Sequence, residues 1–376
     1  MGYQVLLVDD IATNRKLMRA VLKGNPEIAF LEATDGFQAV QLMAEHDVDL
    51  VVLDLMMPGK DGFEVLQEMK VDPRLKDVPV IVNSTMDGLH SIEKALELGA
   101  NEYFTKPLTP AQMKVILPLK VENALKSYEQ HKRLCRLNEQ MANELRLAKL
   151  FQQTLIVKNQ EFPVAKVTGR YIPCLQIGGD FYDCVQRGPD FWFIIADVMG
   201  HGIAAAMVSA MIKVLFLNAL ADAASPCQVL SLMNQDFCNL SDGGYTFSAF
   251  IGQISGQQLT YANAGHPYPL LLRADAGEVV KLAQNGFLVG MLAEAEYTSG
   301  QTRVLPGDTL LLYTDGIFEP DGQGLSRSAE DLQAMASAQR VELQQTPEAW
   351  LDRLVRPFAE YQGIVDDVAL VVINIR

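Results

Sequence analysis

Residues 48–62 read VDLVVLDLMMPGKDG, and this stretch decides the fold of the N-terminal part of the chain. The apolar run Val48–Leu53 is typical of a strand that is buried on both faces of a parallel sheet. Pro58 and Gly59 then end the regular structure. Asp54 therefore lies at the carboxyl end of a central strand, and in an open α/β sheet this end borders the crevice where ligands bind.

Strand-like and helix-like patterns alternate on both sides of this stretch, throughout residues 1–120. The predicted strands are Tyr3–Val8, Phe30–Ala33, Val48–Leu53, Val78–Val82 and Tyr103–Thr105. The predicted helices lie at Leu17–Leu22 (capped by Thr13 or Asn14), Gln38–Ala44, Gly62–Met69, Gly88–Leu98 and from Thr109 onward. Five strand–helix units predict an α/β fold with a doubly wound, five-stranded parallel sheet.

Chemically active side chains fall at the ends of several predicted strands. Asp9 and Asp10 follow the first strand, and Asp54 ends the third. Carboxylates that converge at one edge of a sheet suit a hard cation such as Mg²⁺. Ser84 follows the fourth strand and Lys106 the fifth, so a hydroxyl and an ammonium group are available to hold phosphate oxygens.

These motifs occur in the order found in one family: DD at 9–10, LDLMMPGKDG at 53–62, a hydroxyl residue at 84 and KP at 106–107. Residues 1–120 thus resemble the receiver domain of response regulators. The resemblance implies that Asp54 is the phosphoacceptor. It also implies that Asp9 and Asp10 hold Mg²⁺, with help from the backbone at Met56.

The same resemblance implies a switch that reads the phosphoryl group. Ser84 and Lys106 would sense it, and Tyr103 would be the aromatic switch residue. The run Asn83-Ser84-Thr85 departs from the family pattern of one hydroxyl residue followed by a small one. Thr85 therefore stays open as an alternative to Ser84.

Residues 121–157 are predicted to form a helical linker, since no glycine or proline occurs between Pro118 and Pro163. A heptad pattern of apolar residues, interrupted by Glu144, comprises Leu134, Leu137, Met141, Ala148, Phe151 and Leu155. Upstream apolar residues are out of phase with it, which indicates a stutter. Two interpretations are open: a parallel coiled coil that makes a homodimer, or a helix packed on its own domains.

Residues 158–376 contain strands that end in acidic turns. The predicted strands include Val167–Ile172, Phe191–Ala196, Phe247–Ile254, Gln258–Ala262, Thr309–Tyr313 and Ala369–Ile373. The acidic turns carry Asp180, Asp197, Asp315 and the pair Asp366-Asp367. Aspartates without nearby cysteine favour Mg²⁺ or Mn²⁺ over zinc, and two such ions about 4 Å apart can activate a water for displacement at phosphorus.

Five motifs in this part appear in the order of a second family: GGDFYD, DVMGHG, NAGHP, YTDGIFE and DDVAL. They resemble the SpoIIE/RsbU-like members of the PPM (type 2C) serine/threonine phosphatases over about residues 145–376. The resemblance implies an antiparallel β-sandwich flanked by helices, with two Mn²⁺ or Mg²⁺ ions and phosphoserine or phosphothreonine protein substrates.

The second resemblance also implies individual roles. Asp197 would bridge both ions, and the carbonyl of Val198 would join one shell. Asp180 would lie at the first ion, directly or through water, and Asp315 and Asp366 would bind the second. Asp367 is the alternative within its pair.

Three neighbouring residues are given other roles. His201 is expected to shape its turn and His266 to brace the NAGHP turn. Asp183 could support the site or a third ion.

Composition and resemblance together predict compartment and partners. With 46 acidic and 31 basic residues and a net charge of −15, the chain is not expected to bind nucleic acid. Five unpatterned cysteines and an N-terminus unlike a signal peptide favour the cytoplasm. Ile203–Ala221 is long and apolar, but Lys213 within it favours a core helix over a membrane span.

The expected phosphodonor is a sensor histidine kinase. The expected substrate is a phosphorylated anti-sigma-factor antagonist with a STAS domain. The competing hypothesis is a non-catalytic adaptor that binds a regulatory partner through a phosphatase-like domain.

Overall fold

A computed structural model describes residues 2–84, 89–106, 109–157, 159–241, 244–275, 277–320, 324, 326–361 and 364–376. The chain divides into two compact units, residues 1–141 and 142–376. The sequence predicts domain boundaries at 120/121 and 157/158, so the first unit extends further along the linker than the predicted receiver domain does.

The first unit contains a five-stranded parallel sheet with the strand order β2-β1-β3-β4-β5. Its elements are β1 Tyr3–Val8, α1 Ala12–Leu22, β2 Ile28–Ala33, α2 Gly36–Glu45, β3 Leu50–Asp54, α3 Gly62–Val71, β4 Val80–Ser84, α4 Leu89–Glu97 and β5 Glu102–Thr105. Alternate residues of β3 enter two separate apolar clusters, Val51 on one face and Val52 on the other. The predicted doubly wound sheet is confirmed.

Helix starts in this unit depend on local side-chain caps. Asp61 begins α3 in a reciprocal capping box with Glu64, which satisfies two backbone N–H groups. The prediction that Thr13 or Asn14 caps α1 is wrong, because α1 begins after Ile11 without a side-chain cap. Asn14 instead lies inside the helix and donates from its amide to both carboxylate oxygens of Asp9, at 3.0 and 3.1 Å.

The next helix, α5, runs without interruption from Pro110 to Leu155. Four apolar residues from its first half pack into the core of the first unit: Met113, Leu117, Val121 and Leu125. This packing explains why the apolar residues near 121–125 are out of phase with the heptads, since they face a sheet. The heptad residues Leu134, Leu137, Met141 and Phe151 are 47–62% exposed.

The second unit contains two antiparallel sheets, ordered β14-β11-β10-β9-β8 and β13-β12-β15-β16-β7-β6. Its strands are β6 Asn159–Glu161, β7 Ala165–Ile172, β8 Phe181–Arg187, β9 Asp190–Val198, β10 Phe247–Ser255, β11 Gln258–Ala264, β12 Leu270–Leu272, β13 Val279–Lys281, β14 Gly300–Arg303, β15 Thr309–Tyr313 and β16 Val368–Ile375. Its helices are α6 Ile203–Asp222, α7 Pro226–Leu240, α8 Ala329–Ala338, α9 Arg340–Gln345 and α10 Pro347–Ala359.

The two sheets enclose the main core of this unit. Phe193 and Phe250 of the first sheet share an apolar cluster with Leu310 and Val371 of the second. Alternate residues of β15 and β16 face the other way, toward Trp350 of α10. The predicted antiparallel sandwich flanked by helices is confirmed.

Helix α6 is the one helix in the described ranges that is long and apolar enough to cross a membrane. Half of its most apolar window is buried within the second unit. Core helices of this kind meet the same length and composition criteria, so this finding is weak evidence for a membrane span.

Candidate functional sites

The first site lies at the carboxyl ends of β1 and β3. Carboxylate oxygens of Asp9, Asp10 and Asp54 all lie within 4.8 Å of one another, and no other carboxylate, histidine or cysteine group of this kind is found in the part of the chain that the structure describes. Asp9 and Asp54 are buried, whereas Asp10 is exposed. Three carboxylates at this spacing can ligate one divalent cation through oxygen.

Lys106 connects the two buried carboxylates. Its Nζ donates to Asp9 Oδ2 at 2.8 Å and to Asp54 Oδ2 at 2.6 Å. Burial alone lowers the pKa of Lys106, but these two hydrogen bonds outweigh burial and raise its pKa above the usual value. Lys106 therefore stays charged and lies within reach of any group attached to Asp54.

The other predicted receiver residues are arranged around this centre. The backbone N–H of Met56 donates to Asp54 Oδ1 at 3.1 Å, which fixes the orientation of that carboxylate. Tyr103 lies on β5 and is 40% exposed. Ser84 ends β4, but its side chain and all of Thr85 lie outside the described residues. Asn14, which sequence reasoning did not select, holds Asp9.

The second site contains the aspartates of the output unit. Asp180 precedes β8, Asp197 lies in β9, Asp315 begins the 3₁₀ turn after β15, and Asp366 and Asp367 precede β16. Burial raises the pKa of Asp197 to about 7, and the charges of Asp315 and Asp366 act in the same direction. The fold therefore places near one another acidic turns that are up to 187 positions apart in the sequence, from Asp180 to Asp367 (367 − 180), although their oxygens do not meet the 4.8 Å spacing of the receiver group.

Asp180 is the most deeply buried of these carboxylates. Its Oδ2 accepts a hydrogen bond from the Thr314 hydroxyl at 2.6 Å, while its Oδ1 is buried and has no hydrogen-bond partner. Burial and the charge of Asp197 raise the pKa of Asp180 well above its usual value. An unpartnered buried carboxylate oxygen beside other carboxylates fits a cation ligand, because a cation satisfies the oxygen and offsets the repulsion.

Asp366 and Asp367 have different surroundings. Asp367 is buried, and its two oxygens accept from the backbone N–H groups of Cys174 at 2.7 Å and Gly179 at 2.5 Å. Gly178 lies so close that a Cβ there would collide with the Asp367 carboxylate. Asp366 is only half-buried and accepts one local hydrogen bond, from Asp367 N at 2.8 Å. Asp367 therefore holds the loop before Asp180, and Asp366 is freer to bind a ligand.

The turn after Asp197 contains Val198 and two glycines. Val198 is buried, and its carbonyl lies against Gly179. Gly200 and Gly202 adopt φ of 93° and 85°, a region that favours glycine, and His201 between them is exposed. The turn therefore depends on its two glycines.

Two other predicted residues have partners of their own. The Asp183 carboxylate lies 3.1 Å from Lys213 Nζ. His266 is buried, with its Nδ1 2.8 Å from Ser248 Oγ and its Nε2 3.1 Å from the Tyr313 carbonyl oxygen. Burial lowers the pKa of His266 to about 3, so its imidazole is neutral and braces the turn as predicted.

Sequence reasoning missed Gln152, a buried residue near the end of α5. Its amide nitrogen donates to the Gly178 carbonyl at 2.6 Å, and its amide oxygen accepts from Gly178 N at 3.3 Å. One turn later, Lys213 Nζ donates to the carbonyl of Leu155 at 2.8 Å. The only sequence signal for this role is that Gln152 is a polar residue shortly before the apolar pair Leu155-Ile156.

Comparisons with known proteins agree with this architecture. A family model described as the response regulator receiver domain matches residues 5–117, and one described as Stage II sporulation protein E (SpoIIE) matches residues 187–376. The chain therefore belongs to the SpoIIE family and carries a receiver domain before its SpoIIE domain. It is a response regulator with an output domain of the PPM phosphatase family.

Individual relatives match either the receiver or the output domain. The response regulator PleD of Caulobacter vibrioides is 38% identical over 109 residues, 29% of this chain and 24% of PleD, so the chain spans about a quarter of that protein. Chemotaxis protein CheY-3 of Vibrio cholerae is 33% identical over 111 residues, 30% of this chain and 85% of CheY-3. The SiaA-PP2C domain of Pseudomonas aeruginosa has a TM-score of 0.54 at 18% identity, over 63% of this chain and 98% of that domain, which supports the fold alone.

Proposed function

We propose that the chain is a two-component response regulator in which phosphorylation of Asp54 controls a metal-dependent phosphoserine/phosphothreonine protein phosphatase. The observation that carries the catalytic part is the set of mutually repelling carboxylates around Asp197, with an unpartnered buried oxygen on Asp180. Such a set is costly to bury unless cations bind it.

The proposed metal site holds two Mn²⁺ or Mg²⁺ ions. Asp197 would be shared between the two ions, Asp180 and the Val198 carbonyl would hold one of them, and Asp315 and Asp366 would hold the other. Once bound, the ions supply an activated water and stabilise the developing negative charge on the phosphoryl group.

Other residues of the chain position these ligands. Thr314 fixes one oxygen of Asp180 and leaves the other without a hydrogen-bond partner, so that oxygen could ligate a cation. Asp367 holds the backbone of Gly179 and so sets the position of Asp180 beside it. We therefore assign ligation to Asp366 and bracing to Asp367.

The proposed input is phosphoryl transfer to Asp54 from a sensor histidine kinase, with Mg²⁺ at Asp9, Asp10 and the backbone of Met56. Lys106, which contacts Asp54 Oδ2, would bind the new phosphoryl oxygens, and Ser84 and Tyr103 would complete the switch. We propose that phosphorylation activates the phosphatase, because α5 begins in the receiver core and ends with Gln152 on the loop that carries Asp180.

The proposed substrate is a phosphorylated anti-sigma-factor antagonist with a STAS domain, by analogy with the resemblance noted above. We also propose a homodimer formed through the exposed heptads of α5. A cytoplasmic location is supported by five cysteines that are all free thiols. Neither nucleic acid nor a membrane is a proposed partner.

The test is Mn²⁺-dependent hydrolysis of p-nitrophenyl phosphate and of a phosphoserine protein. The Asp197→Ala variant should lose on the order of a hundredfold or more in rate, because it removes the bridging carboxylate. Asp222→Asn, at the exposed end of α6, is the matched control and should keep the rate. A wild-type protein without metal-dependent turnover would overturn the proposal and favour the non-catalytic adaptor.

A further inference from the structure

A groove of about 450 Å³ lies directly beside the acidic site of the output unit. Asp315 lines it, and so do Tyr268, Lys281, Asn285 and Phe318. Lys281 is the one lysine or arginine among the described residues that line this groove. A groove of this size can hold a few residues of an extended peptide or a small ligand.

The floor of the groove is held firmly against the strand that leads to Asp315. Because the Tyr313 carbonyl oxygen can only accept, the Nε2–H of His266 donates to it, and Nδ1 accepts from the Ser248 hydroxyl. Asn263 closes the same turn through two hydrogen bonds with the His266 backbone, at 2.7 and 2.8 Å.

The wall of the groove is attached to the same strand. The Tyr313 hydroxyl donates to the Tyr268 carbonyl at 2.7 Å, and the Tyr268 hydroxyl donates to the side chain of Asn285. Floor and wall are therefore already formed without a ligand.

The ammonium group of Lys281 is available for a ligand. Its partner is Glu330, at 3.4 Å, and the Glu330 side chain is 76% exposed. An exposed pair at this distance contributes little, so a carboxylate that enters the groove can replace Glu330.

Charge decides which segment the groove favours. The whole chain carries a net charge of −15, and the site beside the groove is a cluster of carboxylates that repels an acidic side chain. Lys281 provides the opposite charge inside the groove itself.

We propose that this groove binds the polypeptide segment next to a phosphoserine or phosphothreonine, and that Lys281 selects segments with an acidic side chain. This inference rests on the proposed function, since it treats Asp315 as part of the hydrolytic site. Lys281 is a specificity-determining residue that contacts the flanking segment and takes no part in the displacement at phosphorus.

The test measures binding to full-length protein loaded with Mn²⁺. Two fluorescent peptides carry a non-hydrolysable phosphonate analogue of phosphoserine, with either glutamate or glutamine at the flanking positions, and fluorescence anisotropy gives each Kd. The wild-type protein should bind the glutamate peptide about twofold to fivefold more tightly, the range expected for one solvent-exposed charge pair.

Variants of Lys281 should change the ratio of the two Kd values. Lys281→Gln should bring the ratio close to one, Lys281→Arg should retain it, and Lys281→Glu should reverse the preference. Arg187→Glu changes the net charge of the output unit as much as Lys281→Glu does. Arg187 is exposed at the end of β8, outside the groove, so this variant should keep the wild-type ratio. High salt should reduce the ratio through screening.

A ratio that is the same in the wild-type protein and Lys281→Gln would overturn the inference. This binding measurement needs no turnover. A failure of hydrolysis, which would defeat the proposed function, is therefore distinguishable from a failure of the groove to discriminate.

Discussion

At the scale of single residues, the output site is defined by carboxylates that are buried against one another. Asp180 and Asp197 both have raised pKa values, chiefly because of burial and then because of neighbouring carboxylates. In the receiver site, the ammonium group of Lys106 lies between Asp9 and Asp54, donates to both, and so reduces the repulsion between them. The described carboxylates of the output site have no lysine or arginine that bridges them in this way, which is why we propose that cations bind there.

The raised pKa of Asp197 predicts a pH dependence for the metal-free protein. Its folded pKa of about 7 lies above the unfolded value near 3.9, so the folded state binds more protons between these values. The free energy of unfolding should therefore fall as pH rises from about 4 to 7, and Mn²⁺ should restore it at the upper end. Thermal unfolding of the metal-free protein at several pH values measures this.

The control for this pH dependence is Asp197→Asn, which removes the titrating group. Its melting temperature should fall less with rising pH than that of the wild-type protein. The pKa of His266 is lowered to about 3, so His266 destabilises the fold as pH falls below about 6.5. This contribution is the same in the wild-type protein and in Asp197→Asn, and it cancels when their pH slopes are compared. Equal pH slopes for both proteins would contradict the assignment.

At the scale of elements, α5 is the continuous connection between input and output. Its early residues complete the receiver core, and its last turns are attached to the second unit by Gln152 and Lys213. The Gln152 amide binds both the N–H and the C=O of Gly178, two positions before Asp180. A rotation or shift of the helix would therefore act directly on the loop that carries Asp180.

Replacing Gln152 with leucine should uncouple the helix from this loop. The wild-type phosphatase rate should rise with beryllofluoride, which mimics phosphorylation of Asp54. In Gln152→Leu, the ratio of the rates with and without beryllofluoride should be close to one. The lost hydrogen bonds should also destabilise the second unit by about 1–3 kcal/mol, because Gly178 keeps buried polar groups without partners. Rate measurements with and without beryllofluoride test the coupling.

The matched control is Gln153→Leu, the adjacent exposed position, which should respond like the wild-type protein. Asp54→Ala should abolish stimulation in every background. If Gln152→Leu were stimulated as strongly as the wild-type protein, α5 would not act through Gly178.

At the scale of the whole molecule, two acidic centres with opposite tasks lie in separate compact units. Asp54 is proposed to receive a phosphoryl group, and the carboxylates around Asp197 are proposed to remove one from another protein. The exposed heptads of α5 between these centres would remain solvated in a monomer, and pairing with a second chain would bury them.

Charged residues in the heptad seam should therefore prevent dimerisation. Leu137→Glu combined with Met141→Glu places like charges in the core of the proposed coiled coil, and sedimentation velocity should detect a monomer. Ala142→Glu combined with Asn143→Glu adds the same charge outside the seam and should leave a dimer. A monomeric wild-type protein would instead favour a single-chain linker helix.

The local patterns of the sequence were sufficient for much of the fold. Alternating apolar runs predicted the parallel receiver sheet, and Thr309–Tyr313 was predicted with the bounds of β15. The start of α1 was not predictable from cap residues, because Asp9, directly after β1, accepts from the side chain of Asn14 and the backbone N–H of Ile11. Asn14 therefore orients the Asp9 carboxylate of the acidic site and does not cap the helix.

By itself, the sequence determined which residue types stand at strand ends, and hence the two sets of candidate aspartates, because strand periodicity and turn chemistry are local properties. Tertiary structure alone decided how these side chains divide their roles. Asp366 and Asp367 are identical neighbours in the sequence, yet only Asp367 meets the N–H groups of Cys174 and Gly179. Tertiary structure likewise decided the roles of Gln152 and Lys281. Burial, hydrogen-bond partners and the walls of a groove depend on residues that are far away along the chain.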